Sequence, residues 1–246
     1  MSWLGLLLVG IAVTDLAFSV RPVRPLRHGP AVAGAAAAVL VALGAGLTSG
    51  RDLLALAGIV VVVLGWAYTV PRGFRTGQAW WPLLVLAGGV ALAVLVSGAA
   101  PPADGLLGAW LDGVGLPLLA GLSPDRALLL LGVVLLQMST GNVVVRLVLA
   151  ATHTVNPARE GTPSDPATRL KGGRLLGPME RLLILALALA GEATAATVVV
   201  AAKGLLRFPE LSARREQERI HRLTEYFLVG SFASWLVALA GVLLLA

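Results

Sequence analysis

Residues Gly172–Ala246 read GGRLLGPMERLLILALALAGEATAATVVVAAKGLLRFPELSARREQERIHRLTEYFLVGSFASWLVALAGVLLLA. An apolar segment interrupted by Glu192 comes first, then a charged stretch, then a clean apolar run from Tyr226 to Leu245. Apolar runs of about 20 residues match an α-helix crossing ~30 Å of hydrocarbon. Lipid offers no partner to unpaired backbone groups, so such runs span as helices. A β-barrel strand would alternate in polarity instead.

The rest of the chain agrees. Of 246 residues 57% are hydrophobic and 13% charged, too few polar residues to cover a soluble domain of this size. The expected fold is an all-α, polytopic integral membrane helical bundle. It has about six to seven transmembrane helices plus a short interfacial segment. Residues 1–99 form an N-terminal four-helix half, 100–125 an outer-face Gly/Pro-rich segment, and 126–246 a C-terminal half with a cytoplasmic loop at 153–177.

Net charge is +6, which in a soluble protein would suggest nucleic acid. Here the arginines cluster between apolar runs, as cytoplasmic loops do beside anionic headgroups. Cysteine is absent, which removes disulfides, thiolate metal sites and cysteine nucleophiles. The three histidines, His28, His153 and His221, all lie in hydrophilic stretches. HExxH and GxSxG motifs are absent, so neither an enzyme nor a cofactor is expected.

In chain order, Trp3–Val20 is the first span. No basic stretch precedes it, and Arg21, Arg24 and Arg27 follow, which predicts an uncleaved anchor with its N-terminus outside. Those arginines suit headgroup phosphates, and they also serve simply as a topology signal. Asp15 within the span costs ~2.5–3.5 kcal/mol if placed centrally, so it faces protein or an aqueous end. Ala31–Thr48 and Asp52–Val70 follow, the latter ending with Trp66 and Tyr68 at interface depth. Trp80 and Trp81 open a fourth span as an aromatic belt. Leu106–Leu122 is apolar but broken by Gly113, Gly115 and Pro117, and reads as the interfacial piece.

Ala127–Leu149 is the fifth span, with Gln137, Ser139, Thr140, Asn142 and Arg146 at its inner end. Asn142 and Arg146 are four apart and share a face. Arg146 is expected to pack near a carboxylate, Glu180 or Glu225, because a buried unpaired charge is costly. Pro178 is expected to open the sixth segment, with Glu180 at its positive dipole end. On a continuous helix Arg181, Glu192 and Lys203 recur every 11 residues and form one stripe. Twenty-five residues (179–203) suffice for one span of ~37 Å. The competing arrangement breaks at Gly191–Glu192 into two half-helices that both open to the cytoplasm. That arrangement keeps the arginine-rich 207–222 region inside. Glu210–Glu225 reads as a charged surface helix leading into the last span.

Several of these residues resemble an uncharacterised bacterial membrane family known by the domain-of-unknown-function label DUF3307. The resemblance rests on Glu180, Arg181, Leu182, Leu183, Gly191, Ala201, Ala202, Lys203, Arg207, Phe208, Glu225, Tyr226 and Gly230. Asn142 and Arg146 add an Asn-x-x-x-Arg element. In the first helix only Asp15 matches the family's His-x-x-Ala-Asp-Phe pattern, and Ile11 stands where the histidine would be. The resemblance implies a fold and a bacterial plasma membrane location, and no activity.

The function expected is a binding or scaffold module contacting anionic lipid or a protein partner, including a second copy of itself. The alternative is an ion- or proton-coupled carrier using Glu192. The candidate polar residues are Asp15, Asn142, Arg146, Glu180, Arg181, Glu192, Lys203, Arg207 and Glu225.

Overall fold

A computed structural model describes all residues except 21–27, 118, 120, 155–172, 193 and 203–216; side chains are also left out at 20, 173–174 and 217–223. Lys203, Arg207 and the arginines at 21, 24 and 27 therefore lie outside the described residues. Regular structure among those described is helical, with no strand. The chain divides into two compact units, 1–140 with Leu245, and 141–244 with Ala246.

The first unit is organised on α1 (Ser2–Val20), against which α2 (Gly29–Gly44), α3 (Gly50–Thr76), α4 (Trp80–Leu95) and α6 (Pro124–Met138) all pack. The nine-residue α5 (Gly105–Gly113) is the helical part of the stretch read from sequence as interfacial. Within its apolar window α1 is 72% buried by protein, against 22% for α3, so α1 is the core helix and α3 a peripheral one. Trp3 of α1 bonds to Asp52 of α3, and Asp15 of α1 to Trp66 of α3, so the two helices run parallel. α3 starts cleanly because Ser49 and Asp52 form a reciprocal capping box. α1 and α2 meet at Gly34, where an added Cβ would overlap the Thr14 hydroxyl and the Gly10 carbonyl. Only glycine allows so close an approach of two membrane helices.

In the second unit α7 (Thr140–Ala151; its first residue belongs to the first unit), α8 (Gly173–Leu189), a helical run at 194–202 (α9) and α10 (Gln217–Leu245) are described. α10 is unbroken, so residues 217–225 of the charged stretch are the first turns of the final helix itself.

The expected six to seven spans are not found. Among the described residues three helices are long and apolar enough to cross a membrane: Ser2–Ser19, Gly50–Thr76 and Thr224–Leu245. α6 and α7 add a fourth if that pair, bent by 49°, counts as one span. α2 and α4 have 16 residues each, ~24 Å of helix, short of a ~30 Å core.

Two local hydrogen-bond patterns interrupt the runs that look continuous in sequence. At the α6–α7 bend the Ser139 hydroxyl lies 2.9 Å from both the Leu135 and Ala12 carbonyls. A serine bonded back to the carbonyl four residues earlier commonly bends a helix. At the end of α8, Gly191 has φ +81°, and Glu192 N–H donates to Leu187 O at 2.8 Å while Gly191 N–H donates to Ala188 O at 3.1 Å. This is a Schellman closure, which needs a left-handed residue that glycine supplies without a Cβ clash. The continuous 179–203 helix is thereby excluded, and with it the single stripe through Arg181 and Glu192. Helix resumes after the break, with Ala196 N–H donating to Glu192 O. α8 also begins at Gly173, so Pro178 lies inside it rather than opening it.

Candidate functional site

In the first unit, α1 carries Asp15 into the protein, where it is 2% exposed. It faces neither water nor lipid. The Trp66 indole donates to both carboxylate oxygens at 3.1 Å. Trp66 is itself fully buried, so it is a core residue and not an exposed aromatic at the rim; Tyr68 is 64% exposed. The fully buried Thr140 hydroxyl approaches the Asp15 carboxylate without reaching hydrogen-bond geometry, and has no other partner. Ser139 ties this wall to α1 through the Ala12 carbonyl. Thr14, next in sequence, turns its hydroxyl back to the Gly10 carbonyl at 2.9 Å.

A second Asp–Trp pair stands nearer the start of the same two helices. Trp3 donates to Asp52 at 2.8 Å, and the Ser49 hydroxyl and backbone amide donate to the other oxygen at 2.6 and 3.0 Å. Asp52 thus has three donors where Asp15 has one. The Trp3–Asp52 contact was not expected from sequence; its signal was a tryptophan and an aspartate at the starts of two like-directed spans.

In the second unit the buried ionisable group is Arg181 of α8, 1% exposed. Its guanidinium donates to Asn142 Oδ1 of α7 at 2.9 Å and to Ser234 Oγ of α10 at 3.1 Å, joining three helices. Gly141 makes the room, since a Cβ there would lie 2.6–2.9 Å from the guanidinium and its Nε. Next to it the half-buried Glu180 accepts from the Trp235 indole at 2.9 Å. Asn142, Glu180 and Arg181 were among the candidates read from sequence, whereas Ser234 and Trp235 were not. Arg146, expected near Glu180 or Glu225, is exposed, as are Glu192 and Glu225.

At the end of α3, Arg72 and Arg75 are exposed, and Arg72 donates to the Tyr68 hydroxyl. Trp80 and Trp81, 47% and 49% exposed, stack with ring centroids 4.3 Å apart at the start of α4. Guanidinium groups beside exposed indoles suit the phosphate and glycerol layer of a bilayer. Among the described residues no three His, Cys, Asp or Glu side chains gather as a metal site. No family model, curated protein or solved structure matches the chain.

Proposed function

We propose that this chain is a multi-pass protein of the bacterial plasma membrane, N-terminus outside, that serves as a binding or scaffold module. Its contact surface is the arginine-bearing end, which meets anionic lipid headgroups or a partner protein. Kinship with the DUF3307 proteins belongs to the same proposal. The observation that carries it is the charge polarity of the first unit. α1 and α3 run parallel, so the close of α1, which Arg21, Arg24 and Arg27 follow in sequence, and the last turns of α3, which carry Arg72 and Arg75, lie at one end. The opposite helix ends and the stretch between α4 and α6 hold Asp52, Asp104, Asp112 and Asp125 against Arg51 and Arg126. Each basic residue near an anionic leaflet contributes about 1 kcal/mol.

A second reading, ion- or proton-coupled carriage through Glu192, is favoured by one feature. An exposed carboxylate sits where α8 breaks, and acids at helix breaks commonly serve ion pathways. The two readings separate in one preparation. The purified protein retains anionic over zwitterionic phospholipid, and the Arg72→Gln/Arg75→Gln variant loses that preference. Equal retention of both lipids defeats the scaffold reading. Glu192-dependent proton flux in proteoliposomes would establish the carrier in its place.

A further inference from the structure

We infer that Asp15 is the seat of an exchangeable monovalent cation, H⁺ or Na⁺, bound between α1, α3 and the α6–α7 bend. The argument is one of charge and donors. A bare carboxylate accepts at about four lone-pair positions, yet Asp15 receives one neutral N–H, split equally between its oxygens. Asp52, on the same helix pair, shows what a carboxylate held ionised by this protein looks like: three donors and a place at the helix end. Burying an ionised group without such compensation is far more costly than neutralising it.

Among the described residues no other charged group at this level does the neutralising, and Arg146 of α7 is exposed. α2 and α4 contain no ionisable residue, and α6 carries Asp125 and Arg126 only in its first turn, at the far end. α3 has Arg51 and Asp52 at its start, and beyond Trp66 its Arg72 and Arg75 are exposed. The Thr140 hydroxyl is a second buried oxygen, next to the carboxylate and lacking a partner. A proton on Asp15 would donate to it, and a sodium ion would take it as a ligand. Both explain why an otherwise idle hydroxyl faces this acid. Asp15 lies five residues before the end of α1, ~8 Å of helix from the arginine-bearing end, which sets a short route for exchange.

The test uses the full chain in lipid nanodiscs, comparing wild type with Asp15→Asn and Thr140→Val. The proton arm records the infrared carbonyl band of a neutral carboxylic acid during alkaline titration. The sodium arm follows thermal unfolding in NaCl against choline chloride at equal ionic strength. A neutral-acid band lost in Asp15→Asn identifies the proton; a sodium-dependent rise in Tm lost in Asp15→Asn identifies sodium. Thr140→Val, which keeps the acid, then shifts the titration midpoint or half-saturating sodium roughly two- to tenfold, the worth of one hydrogen bond. It serves equally if Asp15→Asn does not fold. An ionised Asp15 with neither a band nor a sodium effect overturns the inference, and so does a Thr140→Val variant that titrates like wild type.

Discussion

In the first unit the deepest ionisable group is Asp15, touched by one indole N–H; in the second it is Arg181, spread over an amide oxygen of α7 and a hydroxyl of α10. The difference follows from what each group can use. A guanidinium has five N–H donors, and neutral oxygens on two neighbouring helices accept from it, tying three helices together. A carboxylate has only acceptors, and a helical bundle has few free donors because its backbone N–H groups are committed to the helices. Indole is among the few apolar side chains that carry one. Two tryptophans accordingly meet the two buried aspartates, Trp66 on Asp15 and Trp3 on Asp52. A buried arginine can therefore tie helices together through neutral oxygens, whereas a buried acid depends on the few side chains and helix ends that still donate, as Trp3 and Ser49 do for Asp52.

The largest effect should come from dismantling that joint. Arg181→Ala leaves Asn142 and Ser234 without their donor and a cavity among three helices, so about 2–5 kcal/mol should be lost. Asp15→Asn, which keeps an oxygen for Trp66 and replaces only the cation-binding oxygen, should change stability by less than about 1 kcal/mol in the absence of sodium. Denaturant unfolding in detergent measures both, and an Asp15→Asn loss exceeding that of Arg181→Ala would break the comparison.

A smaller effect separates the two aspartates. Trp66→Phe takes away the single donor of Asp15 and should lose about 1–3 kcal/mol. Trp3→Phe leaves Asp52 with Ser49's hydroxyl and amide, and should lose only about 0.5–1.5 kcal/mol. Equal losses in the same unfolding assay would mean that donor count does not distinguish the sites. The smallest change is expected from Trp235→Phe. Glu180 is half-buried and can turn toward solvent, so about 0.5–1 kcal/mol is expected, read as a shift in unfolding midpoint.

What could be read in advance follows the same division. Helices α1, α3 and the apolar part of α10 were legible because partition between water and hydrocarbon adds up residue by residue along the chain. Asp15, Glu180 and Arg181 were legible as polar intruders on that sum. The number of spans was not, because Ser139 and Gly191 end helices by hydrogen bonds that hydropathy does not register. Gly191–Glu192 could be named as a possible break, but glycine within an apolar run is as compatible with close helix packing as with a left-handed cap.

The sequence by itself determined that the chain is helical and apolar, and where its charge collects. Only the tertiary structure decided which polar groups meet. Asp15 and Trp66 are 51 residues apart, and Arg181 and Ser234 are 53. Such pairings depend on helix rotation and direction, which close contacts like that of Gly34 with Thr14 fix. Burial of a single residue is nearly a local property. Satisfaction of a buried charge requires a second group at hydrogen-bond distance, and that distance exists only after the helices have packed.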